Sequence, residues 1–211
     1  MEPRVPRVSD RHLAERRQHI LDAAVRCFAR YGFHDATLAR ICDEAGVSRG
    51  AVYHYFGSKE EIITALRERS QRDYGPLWRI LQAERPVRER LAGFLRAALE
   101  QMAEPGSDEA NRLGILLWAE SLLNPQILAG QINSISPIHE LIEHAIRDAQ
   151  ASDEIDPALE PHYVSCIVLA VLLGFQMQCG WDPTLEPAKA AAVIDSLLAN
   201  ALAPPVAGPP G

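Results

Sequence analysis

The 211-residue sequence predicts an all-α protein of about nine helices. Three observations carry this prediction. Apolar residues recur at three- and four-residue steps along nearly the whole chain, strand-like alternation never lasts beyond a few residues, and Gly, Pro, Asn and Asp punctuate the pattern at helix-length intervals. The elements divide into a flexible N-terminal arm (1–9), a three-helix unit (10–57), a larger helical domain (58–203) and a Pro/Gly-rich tail (204–211) expected to be disordered.

The first helix is expected over 10–31, where Leu13, Ile20, Leu21, Ala24, Phe28 and Tyr31 form one stripe and Gly32 ends it. Thr37 caps the second helix, whose apolar face is Leu38, Ile41, Cys42 and Ala45. Gly46 supplies a turn, Val47 an apolar plug and Ser48 the N-cap of a third helix over 49–55. Ser58-Lys59-Glu60-Glu61 then reads as a capping box that starts a long fourth helix, which Gly75-Pro76 should kink or end. Further helices are expected over 86–103, 108–124, 125–132, 137–151, 159–180 and 185–203.

Two short helices around a tight glycine turn, the second opened by a serine cap, make a helix-turn-helix. In its second helix the small Gly50 and Ala51 permit close approach to a groove, while Arg49, Tyr53, His54, Tyr55 and the following Lys59 supply long hydrogen-bond donors. Charge is divided accordingly. Residues 1–60 hold ten Lys+Arg against eight Asp+Glu, while 61–211 hold eleven against twenty, so the overall −7 resides in the distal domain. Because salt screens charges over about 10 Å, an acidic distal domain does not prevent phosphate contact at the other end. Arg4, Arg7 and Arg11 fit either a minor-groove arm or a solvated tail.

The string Ile20-Leu21-Asp22-Ala23-Ala24, Phe28, Tyr31-Gly32-Phe33, Thr37, Ile41-Cys42, Ala45 to Phe56 and Ser58 to Ile62 resembles the tetracycline-repressor-like (TetR/AcrR) transcriptional regulators. It covers about a fifth of the chain, in an order and spacing that are highly specific. The resemblance implies a repressor that binds a palindromic operator as a homodimer and is released by a small hydrophobic effector, and no cofactor is expected. The charged segment 1–17 lacks the apolar run of a secretory signal, so a cytoplasmic protein is expected. Thr37, Ser48, Arg49, Gly50, Ala51, Tyr53, His54 and Lys59 are the candidate DNA-contacting residues. Among them Thr37 would cap its helix and touch phosphate, Arg49 to Ala51 would read bases, and Tyr53, His54 and Lys59 would clamp the backbone. Val47, Val52 and Phe56, with much of Tyr55, are expected in the motif's core. Cys42 departs from the alanine usual in the family and leaves some oxidation sensitivity open.

For the distal domain the resemblance carries only an all-helical layout. The segment 112–124 is apolar nearly all round and is expected through the domain centre, with Arg112 and Glu120 toward its polar side. Trp78, Trp118, Phe175 and Met177 are the candidate apolar walls of a ligand pocket, with Glu120, His139 and Gln176 as its polar groups. The uncharged stretch 163–181 is strongly apolar only over 166–175, about half of what a bilayer needs, so it is assigned to a subunit interface rather than a membrane. The last two helices are expected to form that interface, the first around Leu172 and the second through Ala188, Ala191, Ala192, Ile194, Asp195, Leu198 and Leu202.

Other classes fare worse. His139 and His144 in HELIEH stand five residues apart, diverging by about 140° around a helix, compared with about 40° for the four-residue spacing of a zincin. No nucleophile elbow, P-loop or dinucleotide fingerprint is present, so an enzyme is not expected. Cys27, Cys42, Cys166 and Cys179 lack metal spacing and are expected to be buried thiols. A DNA-binding or interaction protein with no ligand is the alternative. An apolar cavity of about 300 Å³ or more would separate the two readings.

Overall fold

The computed structural model describes residues 8–182 and 184–202, so the expected tail and most of the expected arm lie outside the described residues. Nine helices and no strand are found among them: α1 (Val8–Asp35), α2 (Leu38–Ala45), α3 (Arg49–Tyr55), α4 (Lys59–Leu81), α5 (Val87–Met102), α6 (Asp108–Ser121), α7 (Pro125–Ala151), α8 (Pro161–Trp181) and α9 (Pro187–Ala201). Gly32 breaks α1 near its end with φ 74 and ψ 178, a conformation that only glycine adopts freely. The capping box at α4 forms with one change. The Ser58 hydroxyl accepts from the Glu61 amide at 3.2 Å, but the Glu61 carboxylate accepts from Gly57, one residue before the cap, at 2.8 Å.

Two prolines expected to interrupt helices do not end them. Gly75-Pro76 lies inside α4, and Pro137 inside α7, so the separate helices expected over 125–132 and 137–151 are one. An interior proline removes a hydrogen bond and costs about 3 kcal/mol, and packing of both flanks outweighs that cost. In α4, Ile62, Ile63, Ala65 and Leu66 enter one core while Leu77 and Leu81 enter another. In α7, Ile127 enters the first core, and Ile142, Ala145, Ile146 and Ala149 the second. Burial of each large aliphatic side chain contributes roughly 1.5–3 kcal/mol. Both proline-containing helices therefore span the two cores.

The first core joins α1, α2 and α3 through Phe28, Ile41, Val52 and Phe56, and it also takes in Leu113 and Leu117 of α6. It thus continues past Gly57, the expected edge of the three-helix unit. The second core holds α5, α7, α8 and α9 around Leu91, Leu95, Leu99 and Ile146. Arg69 of α4 bonds Asp22 of α1 at 2.6 Å, and Arg26 of α1 bonds Glu44 of α2 at 2.8 Å, so charge pairs as well as apolar contacts fasten the N-terminal layers.

Three expectations about apolar segments need correction. The helix expected over 108–124 ends at Ser121, leaving Leu122 and Leu123 at 83% and 80% exposed in the turn to α7. Leu172 of α8 is buried in its own chain's core, and it is Tyr163, Ile167 and Val171 that point outward. On α9, Ala191, Ile194, Leu198 and Leu202 pack inward and Asp195 pairs with Arg96 of α5, leaving Val193 and Leu197 exposed. Cys27 and Cys42 are buried as expected, but Cys166 and Cys179 are only partly so.

Candidate DNA-binding surface and ligand cavity

The helix-turn-helix is built by three local devices. Thr37 accepts from the Arg40 amide at 3.3 Å, Gly46 turns the chain in the left-handed region (φ 62), and Ser48 accepts from the Ala51 amide at 3.2 Å. Val52 and Phe56 are buried beneath α3 and Val47 and Tyr55 pack on the same core, which fixes the face that α3 turns to solvent. Arg49, Gly50, Tyr53 and His54 are on that exposed face, with Ala51 half-buried beside them. Thr37 and Ser48 are also exposed. This surface presents a guanidinium, an imidazole and a phenol around a stretch without bulk, the chemistry suited to phosphates and base edges.

Lys59 has a partner that sequence reasoning missed. Its ammonium donates to the Phe33 carbonyl at 2.6 Å and sits 4.2 Å from the centre of the Phe33 ring. It therefore ties the start of α4 to the end of α1, a bond that only the tertiary fold creates. Arg40, exposed on α2 and stacked over Tyr31 at 4.5 Å, is a further cation beside the motif that was not singled out.

A cavity of about 380 Å³ opens between the two cores. Val25 and Leu66 wall it from the first core, and Leu77, Phe94, Leu169 and Leu172 from the second. Of the expected pocket residues, Trp78, Trp118 and Gln176 line it. Gln176 donates to the Asn111 carbonyl at 3.3 Å, a reach made possible by Gly114, where an added Cβ would lie 3.0 Å from the amide nitrogen.

Four expected wall residues stand elsewhere. Glu120, 8% exposed, faces His34 of α1 with 3.1 Å between carboxylate oxygen and ring nitrogen, so it joins the distal domain to the DNA-binding unit. His139 bonds the buried Ser165 hydroxyl at 2.6 Å, between α7 and α8, and desolvation with the nearby His162 lowers its pKa below the ordinary histidine value. Phe175 lines a separate surface recess between α8 and α9, and Met177 is exposed. Helical spacing places residues on a face, but it does not say which neighbour that face meets. Arg67 and Gln131 line the cavity and were not foreseen, because neither interrupts an apolar pattern.

Comparison with known proteins agrees with this architecture. Residues 20–66 match the family described as bacterial regulatory proteins, tetR family, and residues 86–203 match the BetI-type transcriptional repressor C-terminal family. The HTH-type transcriptional repressor Rv1474c of Mycobacterium tuberculosis is 32% identical over 197 residues, covering 90% of this chain and 95% of that protein. FadR from Bacillus subtilis, solved in complex with stearoyl-CoA, shares the fold with a TM-score of 0.76 at 18% identity, covering 88% of this chain and 98% of that one. A transcriptional regulator from Saccharomonospora viridis, solved in complex with choline, does so with a TM-score of 0.72 at 23% identity, covering 90% and 98%. This chain belongs to the TetR family of DNA-binding transcriptional regulators, proteins that are not enzymes, and its distal domain is of the BetI-type repressor class.

Proposed function

We propose that this regulator is a cytoplasmic homodimeric repressor that holds a palindromic operator with Thr37, Ser48, Arg49, Gly50, Ala51, Tyr53, His54 and Lys59, and lets go when a small effector enters the cavity. The observation that carries this reading is the position of the cavity, walled by residues of both cores and crossed by α4. The same helix that begins at Lys59, beside α3, continues through Pro76 and contributes Leu66, Leu77 and Trp78 to the cavity wall. A ligand that displaces these residues moves the start of α4 with them. Paired recognition helices must match half-sites about 34–36 Å apart for sites one DNA turn apart, so small rotations suffice for release. The effector must bind the released conformation better than the DNA-competent one, and a 100-fold preference corresponds to about 2.7 kcal/mol. A ligand-free DNA-binding protein would need no such space between its cores.

The test is to select the operator from random DNA with the full-length protein and measure the stoichiometry and affinity of the complex by anisotropy and sedimentation. The affinity is then remeasured across a library of small metabolites that shift the melting temperature. Two chains per inverted repeat, and release by a thermally stabilising compound, are expected. Binding as a monomer to an asymmetric site, or operator affinity unmoved by every compound that stabilises the protein, would overturn the reading.

A further inference from the structure

We propose that the cavity takes an anion: a small amphipathic molecule whose carboxylate, or similarly compact anionic group, sits on the Arg67 guanidinium with its apolar part against Phe94, Leu113 and Trp118. This rests on reading the cavity as the effector site. It adds the charge of the effector, which the fold leaves open, since relatives of the same fold hold both stearoyl-CoA and choline.

Arg67 projects from α4 into the lining, half-buried. Its hydrogen bond is a long one, 3.5 Å from Nε to the amide oxygen of Gln131, and among the described residues no carboxylate lies within ion-pairing distance. Other arginines do find carboxylates: Arg26 pairs with Glu44, Arg96 with Asp195, and Arg69, the other arginine of the cavity wall, with Asp22 at 2.6 Å. Burial lowers the pKa of Arg67, and no neighbouring charge offsets that desolvation. A guanidinium nevertheless keeps its proton, so the uncompensated charge persists in the wall.

The backbone also makes room for it. The guanidinium lies so close to Gly130 of α7 that a Cβ built there would fall 2.1 Å from a terminal nitrogen. Glycine weakens a helix relative to alanine, so this position trades helix stability for the placement of a cation. A second donor lies in the same wall, since the Trp78 indole nitrogen is buried with no acceptor. Glu104 is the acidic residue on the described lining, and it is exposed. An incoming carboxylate accepts from the fork of Arg67 and neutralises it. A quaternary ammonium meets a like charge.

The experiment uses the full-length protein and three carboxylates of different apolar length, phenylacetate, 4-phenylbutyrate and octanoate, with their primary amides and their trimethylammonium counterparts. Calorimetry and thermal shift give affinities for the natural protein, Arg67→Met and Gly130→Ala. At least one carboxylate should bind at least tenfold more tightly than its amide, the factor expected of a charge-assisted hydrogen bond. Arg67→Met should abolish that preference while raising or preserving the melting temperature of the unliganded protein. Gly130→Ala, which displaces the guanidinium and keeps its charge, should weaken carboxylate binding in a more helix-favourable background. The proposal is overturned if no carboxylate outbinds its amide, if the ammonium compounds bind best, or if Arg67→Met melts earlier without ligand while any preference survives. Any of these leaves ligand sensing itself standing, provided some compound of another charge stabilises the protein and changes operator affinity.

Discussion

If the proposed homodimer forms through the outward faces of α8 and α9, replacing Ile167 by glutamate should split it without unfolding the chain. Ile167 is 64% exposed on α8, beside Tyr163 at 62%, and on α9 Val193 and Leu197 are 59% and 62% exposed. Complete burial of such an aliphatic side chain contributes roughly 1.5–3 kcal/mol, so covering the two-thirds of Ile167 left open contributes about 1–2 kcal/mol. A two-fold interface uses every position twice, which raises the loss to about 2–4 kcal/mol. The dimer dissociation constant should therefore rise by about 30- to 700-fold, before any cost of desolvating two carboxylates is added. Sedimentation velocity over a concentration series measures this directly, with the melting temperature as a control. Leu172→Glu is the instructive contrast, because that side chain is 8% exposed within its own core and its replacement should lower the melting temperature instead. An Ile167→Glu protein with an unchanged dissociation constant would refute the assignment of this face.

Lys59→Ala should weaken all DNA sequences alike and reduce the salt slope by about one unit, and it should also lower stability by about 1–2 kcal/mol through loss of the Phe33 contacts. Arg49→Ala, exposed at the start of α3, should alter base preference at little cost to stability, as selection from random DNA and melting curves can determine. His34→Ala leaves the Glu120 carboxylate buried without its partner, and a loss of about 1–3 kcal/mol is expected in denaturant unfolding. His139, whose pKa burial lowers from 6.5, binds its proton more readily in the unfolded chain. Stability should thus be full above pH about 6.5 and decline as pH falls below it, and His139→Gln should flatten that decline in thermal melts across pH.

The helix-turn-helix was legible in the sequence because its signals are local. Thr37 and Ser48 act through hydrogen bonds three residues away, Gly46 through its own φ, and Val52 and Phe56 through spacing that any helix enforces. The tertiary structure decided whatever depends on partners distant along the chain. Pro76 and Pro137 look like stops until the burial on both sides of each is known. Glu120 resembles a pocket residue until His34, 86 positions earlier, is brought within 3.1 Å of it. Leu172 and Ile167 belong to the same apolar run, and only the packing of α8 on its neighbours turns one inward and leaves the other out. Arg67 shows the same limit most clearly. A sequence states that a cation is present, but only the folded chain determines whether a carboxylate comes near enough to neutralise it.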